Sequence, residues 1–201
     1  MTIGETWRNI QADIDAFARD AATWKEQRGR WRESLSAALT PQVSCVIIFR
    51  LAHYFHRRGL VKIAGLIGLC NHLLFRIHLH PSCSIGPGLV IPHPGAIVVQ
   101  ADAGKSLRLS AGATVFGDRI CPLLGRRAIA FPRLGDNCTL GARCRVIGAV
   151  RIGSNCIVGF STLVTEDMAD NATAMPARFR NQGLPPPCST VHPAVDRTGN
   201  Q

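Results

Sequence analysis

The sequence predicts a mainly β fold, a coil of short strands stacked on itself, preceded by an α-helical region. Three observations predict it. From Leu134, every sixth residue is a branched aliphatic: Leu134, Leu140, Val146, Ile152, Val158 and Val164. An earlier block keeps the same step through Leu79, Ile85, Ile91, Ile97, Ala103, Leu109 and Val115. Glycine follows at Gly135, Gly141, Gly153 and Gly159, and a small or medium side chain stands four places after each aliphatic, as at Cys138, Cys144, Val150, Cys156 and Thr162. A period of six matches neither an amphipathic helix nor strand alternation. It matches a coil with three flat faces, the aliphatic pointing inward and the small residue helping the corner turn. Each coil buries its neighbour's apolar face, so one coil alone is not stable.

The helical region occupies residues 1–76. Residues 4 to about 34 read as a first helix, with Ile10, Ile14, Phe17 and Ala21 on one face and Trp7, Trp24 and Trp31 as anchors. Pro41 opens a second helix, since proline suits a first turn, and Gly59 closes it. A third, apolar helix covers about 60–76. It is too short to span a bilayer and holds Lys62, Asn71 and His72. Packing within a helical cap or trimer interface is the expectation. Contact with a membrane surface, helped by Arg50, Arg57, Arg58, Lys62 and Arg76, is the competing reading.

The β region covers 77–180. Its phase breaks after Val115, where 13 extra residues precede Leu134, so a corner loop is expected at about 116–133. Such a loop leaves the stacking intact and is a common place for function. The Pro-rich, polar tail 181–201 is expected to be disordered.

The 201 residues carry a formal charge of +10. That excess attracts phosphorylated ligands, nucleic acid or anionic lipid. No nucleic-acid-binding motif is present. The absence of a secretory signal makes the expected location cytoplasmic. Of the eight cysteines, Cys83, Cys138, Cys144 and Cys156 hold the small-residue place of the repeat and read as small apolar residues, not as disulfides. No Cys-x-x-Cys pair argues for zinc. The sequons at Asn137 and Asn171 carry no expected meaning.

The runs "RLAHYFHRRG" (50–59), "IHLHPSCSIGPGLVIPHPGAIVV" (77–99), "PRLGDNCTLGARCRVIGAVRIGSNCIVGFSTLV" (132–164) and "AMPAR" (174–178) resemble the hexapeptide-repeat acyltransferases, in particular the serine O-acetyltransferase branch. The resemblance implies a left-handed parallel β-helix, a homotrimer, and acetyl-CoA as co-substrate. It implies a histidine general base at His93, a residue type able to take a hydroxyl proton and return it to a leaving thiolate. It places acetyl-CoA along Gly141, Ala142, Gly159, Pro176, Ala177 and Arg178. Its usual orienting aspartate, 15 residues before the base, is His78 here, and the aspartate directly before the base is Pro92. Phe131 stands for a second histidine of the corner loop, and Phe160 for an alanine.

Arg126, Arg127 and Arg133 in or beside the loop are candidates to clamp an anionic acceptor, with Phe131 as an apolar floor. His78, His80 and His93 raise a metal reading, but their spacing does not match the zinc-binding β-helices, so no metal is expected. The family's cysteine synthase partner docks a terminal isoleucine, which Gln201 does not supply. The leading expectation is a serine-type O-acetyltransferase. The alternatives are acetylation of a sugar hydroxyl in polysaccharide synthesis, and a β-helix scaffold without catalysis.

Overall fold

The structure, a computed structural model, describes residues 2–22, 40–117 and 131–176. Helix α1 spans Ile3–Ala22, α2 Pro41–Arg57 and α3 Val61–Phe75. A reciprocal pair starts α1: the Glu5 amide donates to Thr2 Oγ1 at 3.2 Å, and the Thr2 amide to Glu5 Oε2 at 2.7 Å. Ile10 is buried, and Ile14 and Phe17 face Val43, Val46 and Leu89. Trp7, expected as an anchor, is 59% exposed, because the apolar stripe of α1 runs through Ile10, Ile14 and Phe17 instead. Trp24 and Trp31 lie outside the described residues.

The coil then winds through three parallel faces. Face A holds β1 (Ile77–Leu79), β2 (Ile97–Val99), β5 (Thr114–Phe116), β8 (Arg145–Ile147) and β11 (Leu163–Val164). Face B holds β3 (Asp102–Ala103), β6 (Arg133–Leu134) and β9 (Arg151–Ile152). Face C holds β4 (Arg108–Leu109), β7 (Thr139–Leu140), β10 (Ile157–Val158) and β12 (Thr173–Ala174). Bridges from Ile85 to Ala103, Val90 to Arg108 and Ile152 to Met168 extend faces B and C. Because the pairing is in register, like residues stack. Leu79, Val99, Val115, Val146 and Val164 form one buried column, and Ile91, Leu109, Leu140 and Val158 another.

Two features of the winding differ from a strict period. Ile97 was expected above Leu79, but Val99 takes that place. The step from Ile91 to Val99 is therefore eight residues, and the step from Val99 to Ala103 only four. At the far end, the coil continues past Val164 through two more faces. Met168 pairs with Ile152, and Thr173–Ala174 pairs with β10.

Corners decide where the backbone must turn left-handed. Ser106, Asn137, Asn155 and Asn171, all at the corner from face B to face C, have φ between 56° and 61°. Asparagine tolerates that region better than most residues. The Asn137 amide group donates to Asn155 Oδ1 at 3.0 Å, and that of Asn155 to Asn171 Oδ1 at 3.1 Å. The two sequon asparagines thus belong to a ladder that clips successive coils together.

The base of the coil is tied to the helices through one buried pair. Arg50 donates from Nε to Asp13 Oδ2 at 2.8 Å and from NH2 to Asp13 Oδ1 at 3.0 Å. Asp13 Oδ1 also accepts the backbone amides of Gly88 and Leu89 at 2.7 and 2.8 Å. Arg50 also donates to the carbonyls of Ile85 and Gly86. Arg50, expected among the cations of a membrane-facing surface, is instead fully buried. Asp20 near the end of α1 pairs with Arg108 on the outer side of face C.

Candidate active site

His93 sits at the corner from face C to face A, exposed between Pro92 and Pro94. The eight-residue step lies here, whereas the same corner takes six residues from Leu109 to Val115, Leu140 to Val146 and Val158 to Val164. The two added residues make this corner bulge, carrying His93 away from the coil. Gly95 with φ 149° and Ala96 with φ 50° complete the turn. The Gly112 amide donates to the Gly95 carbonyl at 2.9 Å, so the bulge is fastened to the next coil.

The same corner repeats above it. Ala111–Gly112, Gly141–Arg143, Gly159–Ser161 and Met175–Pro176 follow in successive coils, fastened by Arg143 N–H to Ala111 O at 2.9 Å and Ser161 N–H to Ala142 O at 2.8 Å. Four coil steps of about 4.8 Å separate the level of His93 from Pro176, roughly 19 Å in all. The predicted residues His93, Gly141, Ala142, Gly159 and Pro176 therefore share one edge of the prism. Ala111 and Gly112 join them. Their signal is the corner phase of the repeat, whereas Gly141, Ala142 and Gly159 were implied by the family resemblance.

Packing explains the glycines of this edge without a ligand. A Cβ on Gly141 would meet the Gly159 carbonyl carbon and the Phe160 amide at 2.7 Å, backbone against backbone. A Cβ on Gly159 would meet Met175 Sδ at 2.7 Å. The side chains of Phe160 and Met175 are 65% and 62% exposed, so the Phe160 ring points out from the coil.

The other expected residues lie elsewhere. His78 stands on the outer side of face A at the bottom coil, level with Val98 of the next. Its ring neighbours are His72 of α3, with centroids 6.2 Å apart, and His80 at 6.3 Å. No hydrogen bond among the described residues joins His78 to His93. Phe131 and Arg133 flank the corner from face A to face B, a different edge from that of His93. One chain alone does not bring them to the histidine. Arg126, Arg127, Ala177 and Arg178 lie outside the described residues.

The chain around His93 carries no acid of its own. No aspartate or glutamate occurs from Ser34 to Ala101. The next acid, Asp102, accepts the Ser84 amide at 2.9 Å. Among the described residues, no group of three histidines, cysteines or acids is placed to hold a metal ion. His53 is the histidine whose proton affinity the fold sets most clearly. Burial lowers its pKa, and its Nδ1–H donates to the Pro81 carbonyl at 2.9 Å.

The sequence profile of the bacterial transferase hexapeptide (six repeats) matches residues 131–166. The fold is the left-handed β-helix of the hexapeptide-repeat transferases. Within that fold the chain is similar to serine acetyltransferases. It is 29% identical over 155 residues to a serine acetyltransferase of Helicobacter pylori, covering 76% of this chain and 86% of that one. It is 27% identical to a serine acetyltransferase of Synechococcus elongatus, over 84% of this chain and 66% of the relative. Among solved structures, the Neisseria gonorrhoeae serine acetyltransferase superposes with a TM-score of 0.73 at 21% identity, over 88% of this chain and 65% of the other. Isoform 3 from Entamoeba histolytica, in complex with cysteine, gives 0.72 at 22% identity, over 90% and 61%. This chain thus spans slightly less than two thirds of those two structures.

Proposed function

We propose that the protein is an acetyl-CoA-dependent O-acetyltransferase of the serine acetyltransferase type, with His93 as general base. The observation that carries this reading is the single prism edge on which an outward histidine is followed by Gly112, Gly141, Ala142 and Gly159, with Phe160 and Met175 projecting beside them. The edge offers a track of about 19 Å for an extended thioester arm. His93 stands at one end, where the acyl group would lie. Relatives that are 27–29% identical over most of this chain are serine acetyltransferases, which favours serine as acceptor.

The neutral imidazole of His93 takes the proton of the acceptor hydroxyl while its oxygen attacks the thioester carbonyl. The carbon–sulfur bond then breaks, and the imidazolium returns the proton to the departing thiolate. Transfer is direct, with no acyl-enzyme. Phe131 and Arg133 stand at another corner of the coil, so they reach His93 only from a neighbouring copy. The reading therefore takes the enzyme to be a homotrimer with sites between subunits, working in the cytoplasm on acetyl-CoA.

A second reading, acetylation of a sugar hydroxyl, is favoured by one observation. Neither His78 nor any residue from Ser34 to Ala101 supplies a carboxylate to hold the ammonium group of serine. The deciding experiment is thiol release from acetyl-CoA with L-serine or a panel of sugars. Serine-dependent release that falls about 10²–10⁴-fold in His93→Gln supports the proposal. Release with sugars alone selects the second reading, and release unchanged in His93→Gln removes the histidine from the mechanism.

A further inference from the structure

Helix α3 is built inside out. The stripe it turns toward the protein is mostly small or polar: Ala64 and Asn71 are buried, Gly68 lies against Pro81, where an added Cβ would meet the ring at 3.6 Å, and Phe75 in the last turn is its large apolar contact with the core. Asn71 spends its amide group on the Cys45 carbonyl of α2 at 3.0 Å. The opposite face carries Leu66, Leu69 and Leu73 at the i, i+3, i+7 spacing, exposed by 63%, 50% and 71%. Ile63 and Leu74 widen it, at 44% and 68%. An apolar surface this continuous on a helix of a folded protein marks an interaction site.

We propose that this face of α3 docks on an anionic lipid bilayer. Two observations choose that occupant. Charge is the first. Arg57, Arg58 and Lys62, all exposed, cluster at the start of the helix, Arg76 is exposed just past its end, and no acid occurs from Ser34 to Ala101 to offset them. Lys62 lies on the same face as Leu66 and Leu73, where its long stem lets the ammonium group reach the headgroups. A second copy docked symmetrically on this face would set these cations against their own counterparts with no carboxylate between. Length is the second. The helix has 15 residues, about 22 Å, less than the roughly 30 Å of a hydrocarbon core. Among the described residues, no helix is long and apolar enough to cross a membrane. Helix α3 therefore lies in the interface plane, as apolar helices flanked by cations do.

The test is flotation of the full chain with phosphatidylcholine vesicles, with and without phosphatidylglycerol. Beside it run Leu66→Gln/Leu73→Gln and Arg57→Ser/Arg58→Ser/Lys62→Ser, together with sedimentation mass in the absence of vesicles. The expected result is flotation with the anionic vesicles only. The leucine variant should lose it by tenfold or more, and the cation variant should lose roughly fivefold for each charge removed. Folding is checked by retained thermal unfolding midpoints, since all five side chains are exposed. Failure of the unmodified chain to float overturns the proposal, as does flotation undiminished in the leucine variant. A smaller sedimentation mass for the leucine variant, with no flotation of either, assigns the face to a second copy instead.

Discussion

Asp13 and Arg50, 37 positions apart, close a bidentate pair that is sealed from solvent at the foot of the coil. The carboxylate also receives two backbone amides of the first coil, so α1, α2 and the β-helix meet at this one group. Breaking such a pair leaves a buried charge without its counterpart. Arg50→Ala is expected to cost about 3–5 kcal/mol, read as a shift of the denaturant midpoint. Arg50→Ala within about 1 kcal/mol of the unmodified chain would show that the junction is dispensable.

A pH effect follows from His53. Burial holds its folded pKa below the usual 6.5, so the unfolded chain binds more protons as acidity rises. Its contribution is complete above the unfolded value, shrinks as pH falls through that value, and levels off below the folded one. The protonated ring could still donate to Pro81, so desolvation is what penalises it. Stability should decline from pH 7 to pH 5, and His53→Phe should flatten that slope, as measured by unfolding midpoints across the range.

Thiol chemistry separates the cysteines. Burial pushes Cys45 up to about 12, Cys83 and Cys144 up to about 11, and Cys138 upward as well. Cys70 on α3 is exposed. Among the described cysteines, brief treatment of the native protein with iodoacetamide should modify Cys70 and spare these four. Peptide mass mapping checks this, and early labelling of Cys144 would mean that the coil opens.

The edge proposed to hold acetyl-CoA makes a kinetic prediction. Ala142 is exposed on the His93 edge, so Ala142→Trp fills the track without disturbing the core. The KM for acetyl-CoA should rise about tenfold or more, while kcat at saturation and the thermal midpoint stay unchanged. Gly141→Ala should act differently, because its Cβ meets backbone. It should lower stability by about 1–3 kcal/mol.

The fold was legible because the repeat is written in side-chain size. Leu134 to Val164 spells out which residue points inward on every face, and the structure stacks them so. The slip at Val99 was hidden because Ile97 and Val99 are both buried aliphatics and the short next step restores the count. Asp13–Arg50 was missed because its sign is a lone charge in each of two apolar helix faces, and nothing local pairs residues so far apart. For the candidate site, His93 stands out in "IPHPG", but the edge it belongs to does not. Which corner a residue occupies depends on the register of the whole coil.

The edge bearing His93 advances in fixed increments, one per turn of the coil, and this makes the protein a ruler. Excising one complete turn, Arg145 to Thr162, would leave every face in register and bring Pro176 one graduation, about 4.8 Å, nearer the histidine. On the proposed reading, the length of acyl carrier that fits this edge is counted in whole turns. It can be lengthened or shortened in steps, with no side chain at the reacting end altered.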